Sequence, residues 1–184
     1  MRNQTMVKTG IAVVAGVLAL APAHAASMGR HGMSVRDKSF MKGAAEGGMA
    51  EVELGRLAAQ KASDPDVKAF GQRMVDDHSK ANDKLKEVAS GLAYSLPTDL
   101  KASDRREAHH FATLSGADFD HAYVKEMVKD HKGDVKEFEK EATHGNGPVR
   151  SFASDTLPTL REHLRMAEEM AAKMGGPMGR HSRR

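Results

Sequence analysis

Apolar residues recur at steps of three and four along four stretches of the chain, the spacing of one buried helical face. Phe40, Ala44, Ala45, Val52, Leu54, Ala58 and Ala59 mark the first, which predicts a helix from about Lys38 to Ala62 with Asp37 as its N-cap. The second runs from Pro65 to about Ser90, capped by Asp64 and stopped at Gly91; Met74, His78, Ala81, Leu85 and Val88 form its seam. Val124, Met127, His131, Val135 and Phe138 carry the third, from about Ala117 to Thr143, where Ser115 and Asp118 resemble a capping box. Val149, Ala153, Leu160, His163, Ala167 and Met170 carry the fourth, from about Pro148 to Met174, with Leu157 and Leu164 beside the stripe. Pro158 lies inside that pattern and predicts a kink one turn before His163.

Breaks at Ser63-Asp64-Pro65-Asp66 and at Gly145-Asn146-Gly147-Pro148 are short, so the first two helices and the last two form antiparallel pairs. Each helix of about 25 residues spans roughly 38 Å. The stretch from Leu92 to Gly116 is long enough to cross that length and carries a short helix, Ser103 to Leu114. The expected fold is therefore all-α: a ferritin-like four-helix bundle with one long crossover bearing a short extra helix. Gly43, Gly47, Gly48 and Gly55 in the first helix each cost up to about 1 kcal/mol against alanine, and close approach of a neighbouring helix is the expected compensation.

The ends change the picture of where the protein works. Residues 1–25 read as a secretory signal peptide: Arg2 and Lys8, an apolar run from Gly10 to Ala21, then Ala23-His24-Ala25 as a cleavage site. Residues 26–36 read as a flexible lead-in, 37–174 as the bundle, and 175–184 as a flexible basic tail. Removing Arg2 and Lys8 with the leader takes the net charge from +3 to +1, near balance, which argues against a nucleic-acid partner. With no cysteine there is neither a lipid-modified N-terminal Cys nor a disulfide, so the expected location is periplasmic or secreted and the fold rests on its core. No transmembrane segment is expected in the mature chain, and the arginine-rich end suits weak contact with an anionic envelope surface.

Candidate chemistry concentrates at the middle of the bundle. His78, His131 and His163 occupy seam positions where leucine is the ordinary residue, each near its helix midpoint, and Glu51 falls at the same level with an inward spacing. Three neutral imidazoles and a carboxylate are a sensible ligand set for one divalent ion: zinc, or manganese or iron with added water. Asn82, Asp77, Asp130 and Glu162 lie close enough in sequence to support them, the three acids about 100° round their helices from the histidines they precede. The competing expectation is a metal-free polar layer that fixes helix register as part of an interaction module, with Glu51, Asn82 and the backbone satisfying the rings. A di-iron carboxylate centre is disfavoured, because it needs Glu three residues before its histidines and those positions are Val75, Val128 and Leu160. A third reading is Cu(I) handling: Met74 and Met127 precede His78 and His131 by one turn, and Met28, Met33, Met174 and Met178 accompany His31 and His181 at the ends. The adjacent His109 and His110 face different ways and read as surface, as do His121 and His144. No nucleophilic catalytic set can be placed together, so no catalytic residue is assigned.

The run Ala50 to Asp83, AEVELGRLAAQKASDPDVKAFGQRMVDDHSKAND, resembles a bacterial family of exported proteins known as a domain of unknown function. FDHAYVKEMVKDHKGDVKEFEKEA (Phe119 to Ala142) and LPTLREHL (Leu157 to Leu164) resemble that family's later motifs, so the likeness covers about Phe40 to Ala171. It implies a ferritin-like bundle and the label of outer-membrane or periplasmic protein. It implies no established reaction, cofactor or substrate.

Overall fold

The computed structural model describes residues 33–175; the expected signal peptide, most of the lead-in and all but the first residue of the tail lie outside them. Helix α1 spans Val35–Lys61, α2 Pro65–Gly91, α3 Ala102–Thr113, α4 Gly116–His144 and α5 Gly147–Gly175, and the described residues contain no strand. The four long helices are those the periodicity predicts, and α3 is the short helix expected in the crossover. α5 runs unbroken through Pro158.

Two helix starts differ from expectation. α1 begins three residues early because Ser34, not Asp37, is the N-cap: the Ser34 hydroxyl accepts from Asp37 N–H at 3.0 Å, and the Asp37 carboxylate accepts from Ser34 N–H at 3.1 Å. This reciprocal box satisfies two otherwise orphaned donors, and such a cap contributes about 1 kcal/mol. At α4, Ser115 holds the cap position but its side chain makes no capping bond. There Gly116 takes φ +62°, a left-handed conformation that glycine adopts without steric cost.

Buried carboxylates tie the helix ends together and fix the topology. Asp37 at the start of α1 accepts from Asn146 Nδ2 at 3.0 Å, which brings the α4–α5 turn to that end of the bundle. The Tyr94 hydroxyl, just past α2, donates to the Lys38 carbonyl at the same end. At the opposite end Asp120 of α4 accepts from the backbone of Ser63 and Asp64 at 3.0 Å and from the Ser63 hydroxyl. α1 and α5 therefore run one way, α2 and α4 the other. Neighbours α1–α2, α2–α5, α5–α4 and α4–α1 are all antiparallel, and the α2-to-α4 connection crosses the full length. That is the ferritin-like arrangement.

The apolar core falls into two clusters. One gathers Leu54, Phe70, Met74, Phe111, Phe119, Tyr123 and Met127; the other gathers Met41, Leu85, Phe138, Phe152, Leu157 and Leu160. Burying residues such as Phe70, Met74 and Leu85 stabilises the fold by about 1.5–3 kcal/mol each. Between the clusters lies the histidine level.

The glycines divide by role. A Cβ on Gly55 would stand 2.7 Å from the Gly71 carbonyl oxygen, and one on Gly71 would stand 2.6 Å from Ala58 Cβ. These two let α1 and α2 touch backbone to backbone, as expected. Gly48 is crowded by the Asn82 side chain. Gly43 and Gly47 depart from expectation: nothing beyond their own stretch of helix backbone lies within 4 Å of where their Cβ would be, so close packing does not explain them.

Candidate metal centre

His78 is the middle residue of α2, and His131 and His163 sit within two residues of the middles of α4 and α5. All three are buried, His131 and His163 completely. Their rings meet at centroid distances of 5.3 to 5.7 Å, and one ligand nitrogen from each lies within 4.8 Å of the others. Three helices thus deliver three imidazoles to one point between the apolar clusters.

Hydrogen bonds decide which nitrogens are free. His131 Nδ1 lies 3.0 Å from the Met127 carbonyl oxygen, which can only accept, so Nδ1–H donates and Nε2 keeps its lone pair. His163 Nε2 lies 3.0 Å from an Asp77 carboxylate oxygen, so Nε2–H donates and Nδ1 keeps its lone pair. Those two lone-pair nitrogens face each other at 3.3 Å. His78 Nε2 is buried with no hydrogen-bond partner. Two neutral rings hold two N–H groups, yet the path from Met127 through His131 and His163 to Asp77 has three gaps to fill. The gap between the rings lacks a proton unless one ring is cationic.

Burial opposes that cationic form. It holds His78 down to about 3, with further repulsion from His131 and His163 when those are charged. It holds His131 down to about 4 and His163 below the usual imidazole range, although Asp77 favours the charged form of His163. Burial works to raise Asp77, but the bonds from His163 and Arg73 outweigh it and keep the carboxyl below its ordinary value. At neutral pH the level therefore presents three neutral rings and a carboxylate that orients one of them. A cation between His131 Nε2 and His163 Nδ1 would replace the missing proton. Two nitrogens each about 2.05 Å from a tetrahedral ion stand roughly 3.3 Å apart, which matches the separation found.

The other candidate residues are placed as follows. Glu51 is buried, but its Oε1 lies 3.8 Å from His131 Nδ1, on the ring edge opposite the converging nitrogens. With His131 neutral this approach is not an ion pair. Glu51 Oε2 has no partner, and burial, followed by repulsion from Asp134 and Asp130, raises the carboxyl well above its usual range. Asp77 is where support was expected, but it serves His163 of α5 rather than the adjacent His78. Asn82 packs against Gly48. Asp130 is half-buried, pairs with Lys129 and is pushed up to about 7 by burial and nearby carboxylates. Glu162 pairs with Arg165 outside the layer. His109, His110, His121 and His144 are exposed, as predicted. Sequence reasoning did not single out Tyr123, whose hydroxyl is fully buried without a partner and whose ionisation is suppressed by burial and then by Glu51. Its position two turns before His131 on α4's inward face was the available signal.

An antiparallel, ferritin-like helical bundle with an imidazole cluster at its centre is the class that the fold and this level define. Within that class, the chain belongs to the family described as "Domain of unknown function (DUF4142)", whose profile matches residues 21–170. No curated protein matches the chain. Among solved structures it is similar to a DUF305 fragment from Deinococcus radiodurans, with 11% identity, TM-score 0.67, and coverage of 77% of this chain and 98% of that one. It is also similar to CopM in the Ag-bound form obtained by co-crystallization, with 15% identity, TM-score 0.62, and coverage of 76% and 98%. At such identities the likeness is one of fold. No helix among the described residues is long and apolar enough to cross a membrane.

Proposed function

We propose that this protein is an exported, envelope-located metal-binding bundle that holds one transition-metal ion on His78, His131 and His163. The observation that carries the reading is the meeting of two lone-pair nitrogens at 3.3 Å beside a third buried, unpartnered ring nitrogen. Each of the first two rings is oriented through its other nitrogen by a carbonyl or a carboxylate, the arrangement that metal-ligating histidines commonly have. An all-nitrogen set favours zinc or copper over manganese, magnesium or calcium. Zinc fits the tetrahedral separation; a fourth position is left for water or a small ligand. The leader-like first 25 residues support export.

A second reading, Cu(I) or Ag(I) handling, is favoured by the fold shared with Ag-bound CopM and by two fully buried methionines, Met74 and Met127, one turn before His78 and His131. Elemental analysis of protein purified without a His tag or chelator tests the assignment. One equivalent of a single metal, lost in His78→Ala/His131→Ala, is expected. No metal, and no thermal shift with Zn, Mn, Fe, Cu(II) or Cu(I), would overturn it and leave a metal-free polar layer that sets helix register.

A further inference from the structure

A buried ion needs a way in, and two neighbouring clefts open on the face where α1 meets α4. Two clefts of about 540 and 400 Å³ lie along the α1–α4 face and share Gly43, Gly47, Asp134 and Glu137 in their walls. The larger reaches Glu51, whose Oε2 is buried and unpartnered; the other reaches His78, whose Nε2 is buried and unpartnered. One residue of the histidine level therefore lines each cleft, Glu51 the larger and His78 the other.

The walls suit a cation. Carboxylates outnumber ammonium groups six to three around the larger cleft. Of those three lysines, Lys101 turns to Glu46, and Lys129 pairs with Glu126 and Asp130. Glu126, Asp130 and Asp134 repeat at four-residue spacing on α4, a like-charge stripe that helix formation alone disfavours. The mouth is also kept clear. Gly43 and Gly47 on α1 and Gly133 on α4 line it, and no atom occupies the space that a Cβ at any of them would take. Three helix-weakening residues that allow no closer packing at these points are accounted for if the opening itself is what they provide.

We infer that the α1–α4 cleft is the route by which a hydrated divalent cation reaches the three histidines. The inference rests on the metal-binding reading and adds to it where the ion passes and which side chains set its rate. Carboxylates lining a low-dielectric cleft concentrate cations and speed their capture in a salt-dependent way.

The test is stopped-flow Zn²⁺ uptake by metal-free, full-length mature protein, read by competition with a chromophoric chelator. Gly47→Leu fills the mouth from a position with free space, so uptake and release should both slow about tenfold or more while equilibrium affinity stays put. Glu107→Gln/Asp130→Asn/Asp134→Asn should lower the uptake rate about tenfold and flatten its dependence on salt. Full-stoichiometry binding at the wild-type rate in Gly47→Leu overturns the route while the histidine site stands. A wild-type rate in the triple variant overturns the part assigned to the carboxylates. If wild type takes up no zinc, or His131→Ala takes it up equally well, the metal-binding reading fails and the route falls with it.

Discussion

A neutral imidazole has one donor and one acceptor, and much of this protein's behaviour follows from where those three donors and acceptors point. His78 is buried, and its folded form resists protonation down to about 3, against 6.5 for an unperturbed ring. Below pH 6.5 the unfolded chain takes a proton there that the folded chain does not, so stability falls as pH drops from 6.5 toward 3. His78→Leu removes that linkage. In urea melts of metal-stripped protein, the leucine variant should gain on wild type by about 2.7 kcal/mol between pH 8 and pH 4.5. An unchanged difference would mean that His78 is not held neutral by burial. Asp77→Asn leaves three imidazoles but weakens the acceptor that fixes the His163 tautomer. Zinc titration should show unchanged stoichiometry with about 10- to 100-fold weaker binding. The histidines themselves were legible in the sequence, because a polar ring at a seam position in mid-helix breaks the apolar pattern. Asp77's role was not: its neighbour in sequence is His78, and only the α2–α5 packing brings it to His163. Glu51's burial was legible from its spacing, but which edge of His131 it approaches depends on how α1 is rotated against α4.

Helix α1 shows how one residue type serves two purposes in one element. Gly55 meets the Gly71 backbone and has no room for a methyl group, whereas Gly47 faces open space. Gly47→Ala should therefore raise stability by about 0.5–1 kcal/mol, the helix-propensity gain alone. Gly55→Ala should lower it by about 1–3 kcal/mol, because α1 and α2 must move apart. Denaturation midpoints of the two variants check the opposite signs. Sequence periodicity found the four long helices, but it could not separate these glycines, since spacing along α1 does not say how closely a neighbouring helix approaches each position. The α1 start was misplaced for a related reason. Ser34 and Asp37 are both good caps, and three residues of the helix preceding Lys38 carry no apolar repeat to choose between them.

Across the whole bundle, a ligand that binds only the folded chain raises its stability. Zinc at about a hundred times its dissociation constant should add roughly 2.7 kcal/mol, and His131→Ala should abolish the gain. The crossover topology was legible from loop lengths, because two short turns and one connection long enough to span the bundle leave few alternatives. What the sequence could not show is the α1–α4 opening, which depends on helix separation. The most direct measurement of the metal assignment is X-ray absorption spectroscopy of the zinc-loaded protein. Three imidazole nitrogens at about 2.0–2.1 Å, with water or another small ligand in the fourth position, are expected. A shell of oxygens alone, or a spectrum unaltered by His131→Ala, would contradict a centre built on His78, His131 and His163.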